Sequence, residues 1–429
     1  MLKQINLKSD FLKSVLLLTS GTVLAQIIHF GFQPIISRLF DTDEIGQLNF
    51  FLRIVTFFVS VGTLRYELSI PLPKKDTDAF QLFRVSLKIA LYLIASFIIG
   101  GIIFALFSDK IGDELIYVLA LSTVIFLSVF RNIGLNYAIR KKWFKSISYS
   151  KSIGALGMSL SKVGAGILSL GVPGLIAATG LGVFAGTMVY VKQFFKEKNR
   201  AENKASKELQ KELVREHKDF PLMNLPHTLI DSGRELLIAV IFVEYFGKDN
   251  FGSYSFGLMI MGLPLALVGT TIGQAFFQKA SELFNLNKPL FTLLKKTTLI
   301  LAAISLVPFG VVYFFGEELF AWVFSSEWSY AGRLVEALTP WIALKFISSP
   351  ISTIPLIIKK QRLFFVLGLI NTALQLGILI WLPNLSRNIS EEVIYLLSTL
   401  SMVMAIYLTI IVIVKLALVK SIDTQIAQK

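Results

Sequence analysis

The sequence predicts an all-α integral membrane protein with twelve transmembrane helices in two six-helix lobes, and three observations lead to this prediction. Of the 429 residues, 54% are hydrophobic and 16% are charged, whereas soluble domains average about 25% charged residues. The mean hydropathy is +0.67. Apolar stretches long enough to cross a bilayer recur along the chain, and positive charge is concentrated in alternate loops.

The apolar stretches define twelve predicted spans, because a helix needs about 20 mostly apolar residues to cross the hydrocarbon core. The N-terminal apolar run continues to Ile36, which is too long for the core of a signal peptide, so we predict a retained first span. The predicted spans are residues 11–37, 45–70, 82–107, 114–138, 147–170, 173–195, 220–246, 251–277, 290–315, 330–358, 363–382 and 391–415.

The distribution of Lys and Arg predicts the orientation. With the N-terminus in the cytoplasm, 31 of the 42 basic residues fall in cytoplasmic loops or near the cytoplasmic ends of spans, 5 fall in outer loops or near the outer ends, and 6 lie deeper within spans. One missed span would invert half of the loops, so the positive-inside rule favours twelve spans with both termini cytoplasmic. The same rule accounts for the net charge of +14 without nucleic acid as a partner.

The chain divides into two similar halves. We predict an N-terminal six-helix lobe over residues 1–195, a basic cytoplasmic linker over 196–219 and a C-terminal six-helix lobe over 220–429. The linker pattern is typical of a solvated helix near anionic lipid headgroups, with regulatory docking as the alternative. FDTDEIGQLNF at 40–50 matches FGKDNFGSYSF at 246–256 with an offset of 206, and such repeats are typical of two-lobed transporters. The matched pairs are Phe40/Phe246, Asp43/Asp249, Gly46/Gly252 and Phe50/Phe256.

The side chains that build most metal sites and nucleophilic sites are scarce. The absence of cysteine excludes disulfides, thiolate metal sites and Cys nucleophiles. The three histidines, His29, His217 and His227, lack metal-ligand spacing, so no metal site is predicted. Asp-Thr-Asp triplets at 41–43 and 76–78 resemble the cation-binding pairs of glycosyltransferases. Each triplet precedes a span, so we expect helix capping instead.

Small residues are clustered in the fifth and sixth spans. The glycines of GLGVFAG at 180–186 lack the spacing of a phosphate-binding loop and lie inside a predicted span. Small residues let transmembrane helices approach closely. We therefore predict helix–helix contacts at Gly182 and Gly186, and at the glycines of the fifth span, Gly154, Gly157, Gly164 and Gly166.

Six basic residues within spans are the main functional signal, because each charge facing lipid would cost about 2.5–3.5 kcal/mol. Four carboxylates, Glu67, Asp231, Glu235 and Glu244, are the candidate partners of these six cations, two fewer than the cations themselves. Asp231 and Arg234 are three residues apart and can pair on one helix. Arg65 and Glu67 are two apart and should not face each other. The candidate substrate-binding residues are Arg53, Arg65, Arg131, Lys162, Arg234 and Lys345.

These cations are predicted to line a positive, water-filled cavity that suits a polyanion such as pyrophosphate. Arg65 and Arg131 fall in the cytoplasmic third, Lys162, Arg234 and Lys345 near the middle, and Arg53 toward the outside. For Arg65, Arg131 and Lys345, structural pairing or snorkelling is the alternative. The candidates for coupling or ion pairing are Glu67, Asp231, Glu235 and His29; His29 either serves proton coupling or packs structurally.

Three stretches carry a resemblance to a known family: ISRLFDTDEIGQLNFF, LRYELSIPLPKKDTDAFQLF and GSYSFGLMIMGLPLALVGTTIGQAFFQKASE. With the six-plus-six layout, the chain resembles the O-antigen and polysaccharide flippases of the multidrug/oligosaccharidyl-lipid/polysaccharide (MOP) exporter superfamily. The resemblance implies a V-shaped, MATE-like bundle in the bacterial inner membrane. It implies a transporter rather than an enzyme, without a cofactor and driven by a proton or sodium gradient.

The implied cargo is an undecaprenyl-pyrophosphate-linked oligosaccharide, moved to the outer leaflet by alternating access. Membrane lipids, a polysaccharide polymerase and a chain-length regulator are the other implied partners. The main alternative is a MATE-type exporter of cations and drugs, which would depend on Glu67 or Asp231. A polymerase or ligase would need a large catalytic outer loop, and the predicted outer loops are short. A major-facilitator carrier would carry a GxxxDxxGR-type loop, which PLPKKDTDAF does not match.

Overall fold

The protein is helical throughout the part that the structure describes. The computed structural model describes residues 20–107, 111–199, 206–381 and 389–427, and these residues contain no strand. The α-helices are α1 (20–31), α2 (Gln33–Ile36), α3 (Thr42–Val61), α4 (Asp76–Leu106), α5 (Ile111–Arg140), α6 (Phe144–Ile167), α7 (Gly171–Lys198), α8 (Lys207–Glu216), α9 (Leu225–Asn285), α10 (Phe291–Phe324), α11 (Ser329–Ser348), α12 (Ile354–Ile357), α13 (Gln361–Trp381) and α14 (Ile389–Ala427).

The helices confirm the predicted all-α membrane architecture. Eight helices within the described residues are long and apolar enough to cross a membrane. One of them, over 220–285, covers the predicted seventh and eighth spans, and its backbone breaks at Gly247, where φ is 83° and ψ is 169°. The first predicted span is described only from residue 20, and both chain termini lie outside the described residues. The count of twelve spans and the cytoplasmic termini therefore stay predictions.

The described chain forms two compact units. The first unit contains the residues up to Phe40 together with Gln47–Ala239, and the second contains Asp41–Gly46 together with Val240–Lys429. These units differ from the predicted lobes at two places. Asp41–Gly46, at the start of α3, groups with the second unit, and the first quarter of α9, up to Ala239, groups with the first.

The core of the first unit is aromatic. Phe80 and Phe83 of α4 stack with ring centroids 5.7 Å apart, and Phe83 stacks on Phe194 of α7 at 5.1 Å. Phe130 and Tyr137 of α5 meet the same cluster edge to face. Aromatic contacts of this kind add about 0.5–1.5 kcal/mol each to simple burial, so this cluster ties α4, α5 and α7 together.

Glycines bring α6 and α7 close together, as the sequence predicts. A Cβ on Gly186 would lie 2.8 Å from the carbonyl oxygen of Ser150, and one on Gly154 would lie 3.2 Å from that of Gly182. Ser150 Oγ donates a hydrogen bond of 2.7 Å to the Gly186 carbonyl across this contact. Gly164 differs from the prediction, since the space around it is open.

The predicted linker is partly integrated into the first unit. Its start belongs to α7, where Glu197 is 1% exposed and accepts a hydrogen bond of 2.9 Å from Tyr137. Its second part forms α8, whose residues Gln210 and Leu213 are buried. Gln210 bonds Gln81 and Lys88 of α4, both at 2.7 Å. The charged residues of α8 are exposed, as expected of a solvated helix, and only the face that carries Gln210 and Leu213 packs on the first unit.

In the second unit, the two repeat segments meet. A Cβ on Gly46 would lie 3.0 Å from the amide nitrogen of Gly252, and the reverse distance is also 3.0 Å. Thr42 Oγ1 donates to the Asp249 carboxylate beside this crossing. The chain segment around 41–46 and the segment after Gly247 therefore pack backbone to backbone, which residues with a Cβ would prevent.

The Asp-Thr-Asp triplets have different roles. The Glu44 amide donates to Asp41 Oδ1 at 2.7 Å and the Asp41 amide donates to Glu44 Oε2 at 3.1 Å, a capping box that confirms the predicted cap of α3. Asp76 and Asp78 lie in the first turn of α4, where they complement its positive end as predicted, but no side chain caps this helix and Asp76 accepts from Arg140 and Lys141 at 3.1 and 2.6 Å. The local sequence did not reveal that the end of α5 brings two cations to this carboxylate.

Candidate functional site

The first unit contains a cavity with basic side chains in its lining, between α1, α5, α6 and α7. It has a volume of about 400 Å³, and its basic lining residues are His29, Arg131 and Lys151. Tyr190, Asn132 and Ser150 add hydroxyl and amide groups. No carboxylate lies among the described residues that line it. The cavity therefore presents donors and positive charge without an internal counter-ion.

Arg131 and Lys151 of the cavity act on each other. Arg131 interacts electrostatically with both Lys151 and Tyr190. The structure shows no ion pair of Arg131 or Lys151 with a described carboxylate, and Lys151 Nζ donates to Thr22 Oγ1 at 2.8 Å. Like charges held at one low-dielectric site repel, so an anion bound between them would be strongly favoured.

Local packing positions these side chains. Gly134 of α5 makes room for Tyr190, since a Cβ there would lie 2.6 Å from Tyr190 Cβ. Tyr190 is in turn hydrogen-bonded to Ser150. The glycine contacts between α6 and α7 hold Lys151 and Tyr190 on neighbouring helices that face α5. The hydrogen-bond donors of the cavity therefore lie on packed helices rather than on loops.

His29 and Lys162 lie on the same side of the first unit. Lys162 is 7% exposed and acts electrostatically on His29, which lines the cavity. His29 Nε2 lies 3.5 Å from Gln33 Nε2. The described residues offer Lys162 no carboxylate partner. Lys162 therefore adds to the positive potential beside the cavity.

Arg65 lies outside the second span, contrary to prediction. Helix α3 ends at Val61, and Leu64 and Arg65 take left-handed backbone conformations with φ of 51° and 67°. This turn brings Arg65 Nη1 within 3.2 Å of Glu67 Oε1. The prediction that Arg65 and Glu67 do not face each other was wrong, because it assumed a continuous helix.

Glu67 is 5% exposed and serves the turn in which it lies. It accepts from Thr63 Oγ1 in addition to its pairing with Arg65. Tyr66 donates to the Val214 carbonyl of α8 at 3.1 Å, which anchors the same turn to the linker. Arg65 is not among the residues that line the cavity.

A second ion-pair group in the first unit joins Arg53, Arg234 and Glu235. Glu235 Oε2 accepts from Arg53 Nη1 and Oε1 accepts from Arg234 Nη2, both at 3.2 Å. Asp231 instead lies 3.3 Å from His227 Nδ1. The predicted Asp231–Arg234 pair was wrong, since the adjacent Glu235 takes the Arg234 guanidinium.

Lys345 of the second unit is exposed and lies 5.6 Å from the Trp341 ring centroid. The structure thus gathers Arg131 and His29, with Lys162 near, and separates Arg53, Arg65 and Arg234 from them. Sequence reasoning missed Lys151 and Tyr190. Lys151 lies near the start of the predicted fifth span and counts among the cytoplasmic basic residues, and Tyr190 is one aromatic residue among many. The glycines of α6 and α7 were the available signal, because they mark where these helices meet.

The family of the chain follows from comparison with known proteins. Residues 72–332 match the family model described as "Polysaccharide biosynthesis protein". The chain belongs to this family. No curated protein matches the sequence.

Solved structures share the fold of this chain. An inward-facing multidrug resistance MATE family transporter of the MOP superfamily is 15% identical, with a TM-score of 0.67, and the alignment covers 92% of this chain and 96% of that one. The lipid II flippase MurJ, in an inward closed conformation, is 14% identical with a TM-score of 0.69, covering 94% and 90%.

A MOP superfamily transporter from Pyrococcus furiosus, described as having a binding pocket of reverse polarity that suggests a different function, is 15% identical. Its TM-score is 0.57, and coverage is 95% of this chain and 96% of that one. These likenesses confirm the predicted MOP fold.

Proposed function

We propose that this protein is an ion-coupled flippase that moves an undecaprenyl-pyrophosphate-linked oligosaccharide to the outer leaflet of the bacterial cytoplasmic membrane. The observation that carries this proposal is the cavity of the first unit, where Arg131 and Lys151 face the same space without a carboxylate. Pyrophosphate offers several anionic oxygens, and a guanidinium binds such oxygens through paired, charge-assisted hydrogen bonds.

Different residues of the cavity bind different parts of the proposed substrate. Arg131 and Lys151 contact the anionic head, and Tyr190 and Asn132 supply neutral donors and acceptors suited to sugar hydroxyls. Lys162 strengthens the positive potential from a buried position. Arg65, Arg53 and Arg234 have carboxylate partners, so we assign them structural pairing in this conformation.

His29 is our candidate for coupling to a proton gradient, because it lines the same cavity and an imidazole titrates within the physiological range in water. A proton on His29 would add charge where the anion binds. A sodium gradient is the alternative driving force. Transport by His29→Asn at several imposed proton gradients distinguishes them: we expect the variant to lose the response to the gradient.

A deletion strain complemented with the gene tests the proposal. Arg131→Ala should abolish surface polysaccharide and cause lipid-linked oligosaccharide to accumulate, with polymerase and chain-length regulator present but without substrate. Lys145→Ala is the matched control, since Lys145 is exposed on the same helix as Lys151. Normal polymer in cells that carry correctly inserted Arg131→Ala would overturn the assignment.

A MATE-type exporter of cations and drugs has the same fold and is the second candidate. It requires an acidic site. Glu67 is engaged by Thr63 and Arg65, and Asp231 is exposed beside His227. Drug resistance that depends on Asp231, together with unchanged polysaccharide, would favour this candidate.

A further inference from the structure

The second unit contains an apolar groove between α10 and α11, and the function proposed above gives this groove no role. Helices α10 and α11 touch at Gly316, where a Cβ would lie 3.0 Å from the Gly332 carbonyl oxygen. Away from this contact they leave a groove of about 570 Å³, lined almost entirely by hydrocarbon. Pro308 lies within α10 and Pro340 within α11, and proline bends a helix at such a position.

A basic pocket adjoins the groove. It has a volume of about 380 Å³, includes Lys295 and Lys296, and shares Leu299 with the groove. Both lysines are exposed, and the structure records no ion pair for either with a described carboxylate. The amides of Leu290 and Phe291 donate to the Asp423 carboxylate at 3.0 and 2.7 Å, so these two backbone donors at the start of α10 are already engaged.

The groove and the pocket together have the layout of a lipid. From Lys296 to Tyr313, at the far end of the groove, 17 residues of helix rise by about 26 Å. This length is close to the hydrocarbon thickness of a bilayer of about 30 Å. A soluble anion would use only the lysines, and a neutral hydrocarbon would use only the groove.

We propose that α10 and α11 bind one single-chain polyprenyl phosphate, with its phosphate at Lys295 and Lys296 and its isoprenoid chain in the groove. A single groove between two helices suits one chain better than the two chains of a phospholipid. The identity of this occupant as the carrier of the cargo rests on the function proposed above. The positive charge of the lysines complements the phosphate, and the apolar lining complements the chain.

Gly310 offers a direct test of the groove. It lines the groove, and no atom lies within 4 Å of a Cβ placed there, so the side chain of Gly310→Leu starts in open space and extends from the groove wall. Gly368→Leu is the matched control, because Gly368 lies on α13 in equally open space and is not among the groove residues. Binding of undecaprenyl phosphate to the full chain in detergent is measured by native mass spectrometry.

We expect Gly310→Leu to weaken undecaprenyl phosphate binding at least tenfold and Gly368→Leu to leave it unchanged. The double variant Lys295→Gln/Lys296→Gln should weaken binding of undecaprenyl phosphate but not of undecaprenol. Equal binding of undecaprenyl phosphate by Gly310→Leu and Gly368→Leu would overturn the proposal that the groove binds the isoprenoid chain. If phosphatidylglycerol displaces undecaprenyl phosphate completely, the site binds phospholipid, and the proposal of a single-chain polyprenyl phosphate is overturned.

Arg131→Ala separates this inference from the proposed function. That variant should still bind undecaprenyl phosphate at the groove while it loses transport. If Arg131→Ala transports normally but Gly310→Leu fails to bind, the proposed cavity is wrong and the groove stands. If Gly310→Leu binds normally and Arg131→Ala is inactive, the groove is wrong and the cavity stands.

Discussion

Gly46 and Gly252 pack against each other, so that a Cβ on either would lie 3.0 Å from the amide nitrogen of the other. They occupy matching positions of the two sequence repeats, with an offset of 206. Each Cβ would also collide with a carbonyl oxygen, that of Lys248 or Thr42. The sequence repeat is therefore a structural contact as well as a trace of internal duplication.

Alanine at Gly46 or Gly252 should destabilise the protein by about 1–3 kcal/mol, because the added carbon overpacks against backbone that cannot rotate away. Thermal unfolding in detergent measures the effect. Gly262→Ala is the control, since no atom lies within 4 Å of a Cβ at this helical position. Alanine there should stabilise by about 0.5–1 kcal/mol. An equal response at Gly46 and Gly262 would contradict the close contact.

The Gly variant should be more stable than the Ala variant at Arg65, and the order should be reversed at Arg53. Arg65 has φ of 67°, whereas Arg53 is in the middle of α3. We expect Arg65→Gly to be more stable than Arg65→Ala by about 1 kcal/mol, because glycine adopts left-handed conformations freely. At Arg53, alanine should be more stable than glycine by about 1 kcal/mol. The same rank at both sites would show that Arg65 continues the helix.

The Arg53–Glu235 pair should show measurable coupling. Both side chains are partly exposed, 33% for Arg53 and 43% for Glu235, and the atoms lie 3.2 Å apart. A double-mutant cycle of Arg53→Ala and Glu235→Ala should give a coupling energy of about 0.5–1.5 kcal/mol. A cycle of Arg53→Ala with Asp231→Ala serves as the control and should give none, since Asp231 pairs with His227. Coupling only in the control cycle would refute the observed pairing.

Glu327 should make stability fall as the pH rises. It lies in the turn before α11, and burial, followed by the charges of Asp41, Asp249 and Glu44, raises the pKa of its carboxyl above 4.5. The folded state therefore binds the proton more tightly than the unfolded state, and this contribution is lost as the pH rises through the raised pKa. Glu327→Gln should match the wild-type melting temperature at low pH and exceed it at neutral pH. A wild-type advantage at neutral pH would contradict this assignment.

The periodic features of the sequence were sufficient to predict the helices and the glycine contacts. Long apolar runs have few alternatives in a membrane, and Gly182 and Gly186 fall on an apolar helix where close packing is the common use of glycine. The all-α class and the MOP fold were confirmed for this reason.

The candidate functional site was less predictable, because the positions of its charged residues depend on where helices begin and end within long apolar stretches. The apolar composition of 45–70 continues past Val61, and nothing local marks the left-handed turn that pairs Arg65 with Glu67. Lys151 reaches the cavity because α6 begins at Phe144 and carries it alongside Arg131 of α5. Such pairings arise from tertiary packing, which cannot be predicted from the spacing of charges along the chain.

The most direct test of the central claim is flipping of a fluorescent undecaprenyl-pyrophosphate oligosaccharide by the purified protein in liposomes. Loss of one charged hydrogen-bonding group costs about 1.5–3 kcal/mol, so Arg131→Ala should lower the initial rate at limiting substrate about 10- to 100-fold. Lys145→Ala should retain the wild-type rate. A wild-type rate for Arg131→Ala would contradict the assignment of the cavity as the anion-binding site.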